Sequence, residues 1–446
     1  SSTVNISGIS AFVNNYVSST NNADCGGAIA AESGSALNIN STADANNTKY
    51  TQTTFSGNYA SSLKDGAGGG AIGLMKDNGS LTVTAKITGV YFTGNYAYTE
   101  AGADSSTGSD EDIHNRAVGG AIWASKNILT VTNCSFGSSS LTNDGNYTYA
   151  KNGGEGSFGG AIFGGNGAKK TISVTGFANN YTESSGTDSS AGGAIYIKKT
   201  ASATISNSTF TDNGYNSSVP VTSATGFGGA IVAEGKPTAA TTALTSSLTV
   251  TGSTFTGNEA DIYGGAIAAN QYATVTISGS TFTDNSSGVY GGAIALLYKS
   301  YDYAPKVTGS TSISSTSFSG NVAVSEGGAI YIASGAGPVL ISGTSSTSAG
   351  VTSYTTAFTY NYTNSTATDK GLGGAIYNAG TLTIKGASKF LGDGSSSSSA
   401  SASTLNGGAI YNAGTTNISG ANFILNKATT DGGAVYSSGS LTISGT

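Results

Sequence analysis

Two short motifs alternate along this chain and fix what it can fold into. The string GGAI, or a close variant, occurs at 26–29, 69–72, 119–122, 159–162, 192–195, 228–231, 264–267, 291–294, 327–330, 373–376, 407–410 and 432–435. A phenylalanine precedes each, and in most copies it opens a second motif, FxxN. The pairs are Phe12/Asn15, Phe55/Asn58, Phe92/Asn95, Phe177/Asn180, Phe210/Asn213, Phe255/Asn258, Phe282/Asn285, Phe318/Asn321, Phe358/Asn361 and Phe423/Asn426. Two copies depart, with Ser139 after Phe136 and Asp393 after Phe390, so an asparagine column is expected to break at those two coils. The short unit 264–290 reads GGAIAANQYATVTISGSTFTDNSSGVY and holds three expected strands, GGAIA, TVTIS and STF. A unit this small cannot bury its apolar side alone, so the units must stack as coils of a parallel β-helix.

Alternation gives the facing. In TVTIS, Val275 and Ile277 share one face and Thr274, Thr276 and Ser278 the other, the period of a half-buried strand with the branched pair inward. The isoleucine of GGAI is fixed, and the residue two later is often apolar, as in Leu74, Ile197, Leu296 and Ile332. Coils about 4.8 Å apart would bring like residues into ladders. Phe282, Asn285, Gly291, Gly292 and Ile294 are the structural residues of one such coil. The glycines are expected to permit a sharp bend and the asparagine a left-handed turn. On this reading residues 1–446 form one continuous repeat domain of about 12 coils, part of a longer chain or a polymer.

Composition agrees with a repeat and excludes several classes. Charged residues make up 9% of the chain, against about 25% in ordinary soluble domains. The 67 glycines do not recur every third residue, which excludes collagen, and 37% hydrophobic content in short Ile/Val runs argues against disorder. A net charge of -6 with 18 Lys and Arg argues against nucleic acid as a partner. No apolar stretch approaches the roughly 20 residues of a transmembrane helix. Cys25 and Cys134 cannot make a disulfide framework, and coil counting, about 14 Å between them, predicts no bond joining them.

Strict alternation of FxxN and GGA(I/V/L) from Phe12 to Val435 resembles the repeats of the chlamydial polymorphic membrane proteins, surface adhesins. Similar repeats occur in adhesin-like surface proteins of other microbes. The resemblance implies an all-β fold, a right-handed single-stranded parallel β-helix (solenoid), at the cell surface or outside the cell. Family members carry a signal peptide and a C-terminal transmembrane β-barrel, neither of which is visible in this sequence.

Insertions fall at 96–118, 140–158, 214–227 and 394–406, and at 33–53, 235–247, 298–310 and 341–357. Loops on a regular scaffold commonly carry binding specificity. Several are tyrosine-rich: Tyr96 and Tyr98, Tyr147 and Tyr149, and Tyr298, Tyr301 and Tyr303. The residue after the fixed isoleucine should point outward. It is Trp123, Phe163, Tyr196, Tyr331, Tyr377, Tyr411 or Tyr436 in seven coils, which forms a candidate binding surface or, alternatively, a purely stabilising ladder.

Catalytic signals are thin. His114 is the only histidine, and the only acidic cluster is Asp110, Glu111 and Asp112, beside His114 and Arg116. No cofactor or metal pattern is present. N-x-S/T sequences occur, at Asn5, Asn146, Asn216 and Asn364 among others, at a frequency that composition alone accounts for. The expected function is a non-enzymatic extracellular adhesin or surface-fibre module, a stiff rod displaying variable loops. Its partner would be a host or neighbouring-cell surface protein or glycan. The runner-up is a structural subunit of a homopolymeric filament, with copies of itself end to end, and third comes a polysaccharide-active β-helix enzyme.

Overall fold

A computed structural model describes residues 2–20, 23–41, 52–75, 81–100, 114–138, 144–151, 156–184, 190–215, 226–235, 246–297, 309–348, 351–365, 370–395 and 404–445. Every regular element among them is a β-strand. The chain divides into two compact units, Ser1–Val232 and Ala233–Thr446, and each is a stack of the same coil.

In the first unit the TVTIS-type strands Thr3–Ser7, Ala36–Asn40, Thr84–Thr88, Ile128–Thr132, Lys169–Ser173 and Ser202–Ser206 pair in parallel, in sequence order. Their register aligns Ile6, Ile39, Ile87, Val131, Ile172 and Ile205 in one inward column. The GGAI strands align Ile29, Ile72, Ile122, Ile162 and Ile195 in another. The second unit repeats both arrangements: Ile267, Ile294, Ile330, Ile376, Ile410 and Val435 form its GGAI column. The fold is the parallel β-helix that the motifs require.

The motif phenylalanines close the third side. In the first unit Phe12, Phe55, Phe92, Phe136, Phe177 and Phe210 stack face to face, with centroids 4.5 to 5.1 Å apart. In the second, Phe255, Phe282, Phe318, Phe358, Phe390 and Phe423 do the same at 4.6 to 4.9 Å. Most of these rings are fully buried, and each contributes on the order of 2–3 kcal/mol of transfer free energy.

Three expectations change. The coil has a fourth strand after the motif asparagine, including Tyr59–Ser62, Tyr96–Thr99, Tyr147–Ala150 and Tyr181–Ser184, so Tyr96, Tyr98, Tyr147 and Tyr149 are strand residues and not loop residues. The insertion at 33–53 contains the core strand Ala36–Asn40 with Leu37 and Ile39 buried, because its alternation is masked by polar neighbours. The insertion at 341–357 begins inside a core strand, Val339–Gly343, and then projects a hairpin, Ser345–Ser348 against Val351–Tyr354, the one antiparallel pair among the described residues.

The asparagine column is continuous at the first of the two coils where a break was expected and interrupted by an aspartate at the second. Asn58 donates its Nδ2 to Asn95 Oδ1 at 2.9 Å, and Asn95 donates to Asn146 Oδ1 at 2.8 Å. Asn146 reaches the column from beyond the insertion that follows Phe136 and donates to Asn180 at 3.0 Å. Each amide also donates to the carbonyl of the phenylalanine one coil back, as Asn285 does to Phe255 at 3.1 Å. Every polar atom of these buried side chains is thereby engaged, which burial demands. In the second unit Asp393 takes the column position: its Oδ1 accepts from the backbone N–H and the Nδ2 of Asn361, both at 3.0 Å, while Oδ2 is buried without a partner.

The left-handed residue of FxxN is not the asparagine but the residue before it: Asn14, Asn179, Asp212, Asp284, Tyr360 and Leu425 have φ of 55, 56, 51, 54, 53 and 56°, and glycine stands there in other coils. The GG pair needs glycine for two separate reasons. Gly291 has φ of 64°, and a Cβ on Gly292 would lie 2.2 Å from the Gly328 carbonyl oxygen.

Candidate interaction surface

The GG bend folds the residue before it against the residue after the fixed isoleucine, and this makes an outer seam along each unit. In the first unit the seam is closed. Trp123, Phe163 and Tyr196 are 3, 0 and 4% exposed, so they do not form the exposed ladder expected of them. A short extra strand stands just before the bend in these coils, Ala117–Val118, Ser157–Phe158 and Ser190–Ala191, and its residues are buried as well. Phe158, for example, packs on Tyr196 with centroids 4.8 Å apart.

In the second unit the seam is half open. Tyr331, Tyr377, Tyr411 and Tyr436 are half-buried and stack at 5.4, 5.3 and 4.9 Å, nearly parallel. The column before the bend is held by single parallel bridges linking Tyr263, Tyr290, Glu326, Leu372, Asn406 and Asp431 in turn. Tyr290 crosses the seam to Tyr331 at 4.7 Å, because the seam residue of its own coil is the small Ala295. Glu326 is the one acid between tyrosines. Burial pushes its carboxyl up to about 7, with Lys370 acting in the opposite direction. Burial raises the phenols of Tyr263, Tyr290, Tyr331 and Tyr377, and the charge of Glu326 adds to each.

A second tyrosine column was not anticipated as such. The residue following the motif asparagine is Tyr16, Tyr59, Tyr96, Tyr147 and Tyr181 in the first five coils of the first unit, with rings 4.9 to 5.0 Å apart and within 9° of parallel. The recurring string NY was the available signal. Since the faces cover one another, the column offers ring edges and hydroxyls to solvent. Beside it, Tyr98 and Lys151 both donate to Glu100, the lysine at 2.9 Å.

The acidic cluster expected around His114 is not described: Asp110, Glu111 and Asp112 lie outside the described residues, as do Tyr298, Tyr301 and Tyr303. His114 instead approaches Asp65 of the preceding coil, Nδ1 to Oδ1 at 2.9 Å. Among the described residues no group of three His, Cys, Asp or Glu side chains could hold a metal ion. Neither Cys25 nor Cys134 is in a disulfide, and burial pushes Cys134 up to about 11, which keeps it protonated and unreactive. Asn146, Asn180, Asn285 and Asn361 begin N-x-S/T sequences, yet each is 0% exposed in the asparagine column, so folding withholds them from glycosylation.

The fold and its outer columns define a parallel β-helix repeat protein. Two stretches, residues 279–296 and 315–333, match the Chlamydia polymorphic membrane protein (Chlamydia_PMP) repeat, and they contain the FxxN and GGAI motifs of successive coils. The resemblance read from the motifs is therefore shown. No curated protein matches the chain. Among solved structures it is similar to that described as "Crystal structure of Agl-KA catalytic domain", at 13% identity and a TM-score of 0.39, over 98% of this chain and 62% of that one. A likeness at that level carries no argument about function. No helix among the described residues is long and apolar enough to cross a membrane.

Proposed function

We propose that this chain is a non-enzymatic, adhesin-like module of the cell surface or extracellular space, and that it binds its partner through the outer tyrosine columns. The observation that carries the reading is the contrast between the two seams. In the first unit the aromatics at this scaffold position, Trp123, Phe163 and Tyr196, are buried, whereas in the last four coils of the second unit the position is tyrosine each time and stands half-buried. Stability alone is served by the sealed version. An open row of hydroxyl-bearing rings on a rigid sheet instead resembles the aromatic, amphipathic surfaces that proteins use for recognition. The match to a surface-protein repeat supports the same reading.

The test is attachment of the purified protein to host-type cells and to a glycan array. Replacing Tyr377 and Tyr411 together by serine should reduce attachment by tenfold or more while the strand signal in circular dichroism is retained. Attachment unchanged by the double substitution would remove the seam from the reading. Ordered filaments formed by the protein alone, seen by electron microscopy, would favour the structural-subunit alternative, and cleavage of a glycan on the array would overturn the non-enzymatic assignment.

A further inference from the structure

Glu326 is singular in its surroundings. Its bridges place it directly between Tyr290 and Leu372 along the column, and the chain turns through Gly327 and Gly328 to bring Tyr331 of the same coil beside it. Tyr263 and Tyr290 stand next to it along the same column with rings 5.1 Å apart, Tyr290 packs on Tyr331 at 4.7 Å, and the charge of Glu326 acts on these three phenols and on that of Tyr377. Lys370, exposed and next to the bend of the following coil, is the cation that acts on it, and no hydrogen bond or ion pair to the carboxyl occurs among the described residues. A carboxyl drawn partly out of water without donors is costly unless something completes it.

The ring faces narrow the identity of that partner. Tyr331, Tyr377, Tyr411 and Tyr436 cover one another's faces at 5.4, 5.3 and 4.9 Å, and Tyr263 and Tyr290 do so at 5.1 Å. A neutral sugar recognised by stacking needs an open aromatic face, and the stacked faces are closed. What remains is one carboxylate, several phenol oxygens that accept hydrogen bonds, and a chain of net charge -6. That set complements a group with several N–H donors and a positive charge.

We propose that Glu326, with Tyr263, Tyr290, Tyr331 and Tyr377, forms a site for a cationic group, the ammonium or guanidinium of a lysine or arginine side chain on a partner protein. The inference rests on the proposed function for its biological role, since it names the partner chemistry of that same seam. The carboxylate form binds, so affinity rises as pH rises through neutrality. With the carboxyl titrating at about 7, the ionised fraction grows about tenfold between pH 6 and pH 8.

The experiment is a titration of the full chain with a tetra-arginine peptide blocked at both ends, at pH 6 and pH 8, followed through the carboxyl carbon of Glu326 and by calorimetry. The expected result is binding that tightens about tenfold at the higher pH and is lost, with its pH dependence, in Glu326→Gln. Tyr331→Phe, which deletes only a hydroxyl, weakens it severalfold and guards against a folding artefact in the first variant. Asp431→Asn, in the exposed end of the same column, leaves it unchanged. Equal binding by Glu326→Gln, equal loss in Asp431→Asn, or displacement of the peptide by triacetylchitotriose would each overturn the site. Cell attachment is read in parallel: attachment that survives Glu326→Gln sinks this inference and leaves the adhesin reading standing, whereas absence of attachment by the parent protein with intact peptide binding does the reverse.

Discussion

Asp393 shows how much one atom matters in a column built of amides. Where each asparagine donates its Nδ2 onward, Asp393 presents a second oxygen, and Oδ2 has no partner. Burial pushes the carboxyl up to about 8, against the hydrogen bonds from Asn361 that lower it. At neutral pH it therefore holds its proton in the folded state. Between about pH 4 and pH 8 the folded state keeps a proton that the unfolded chain has released, so stability falls with rising pH by roughly 1.4 kcal/mol per unit from this group. Replacing Asp393 by Asn should abolish that slope and raise the guanidinium midpoint more at pH 8 than at pH 5; equal midpoint shifts at both would refute the assignment. Leu425, 80% exposed with φ of 56°, sits where most other coils place Gly, Asn or Asp. Leu425→Gly should stabilise by about 0.5–1 kcal/mol in thermal or chemical melts, since relief of left-handed strain exceeds the added chain entropy.

At the scale of the element, close approach of coils decides which glycines are fixed. Gly292→Ala forces a Cβ to within 2.2 Å of the Gly328 carbonyl oxygen and should cost about 3 kcal/mol, measured as a lowered unfolding midpoint. Gly176 is the contrast. It lies in the strand Gly176–Ala178, aligned with Ser135 and Thr209, and a Cβ there would meet only Thr209 Oγ1 at 3.4 Å. Gly176→Thr should be neutral or slightly stabilising, and a large loss would mean the strand register is wrong. The Ile, Val and Phe columns were legible in the sequence because period-two alternation and fixed spacing report facing directly. The fourth strand was not, since YASS, YAYT and YTYA read as polar loops until the TVTIS, GGAI and FxxN ladders on either side hold them in pairing distance.

For the molecule as a whole, stability in a solenoid is a sum over coils and their neighbours, so one complete coil can be removed without loss of register. Deleting residues 264–290 joins Tyr263 to Gly291 and keeps every column of the second unit in step. The deletion should fold with an unchanged strand spectrum and a modestly lowered midpoint, while deleting 264–277 should unfold the unit, as read by circular dichroism and limited proteolysis. By itself the sequence determined the repeat, the inward columns and the parallel β-helix, because motif recurrence and alternation are local properties that stacking merely multiplies. Whether an outward aromatic is exposed was decided only by tertiary structure. Trp123 and Tyr377 occupy the same place in the coil, yet one is 3% exposed and the other stands half-buried in a seam that contains Glu326. That difference depends on what the chain folds over the GG bend from residues outside the motif, and burial of a charge is a property of the assembled surroundings.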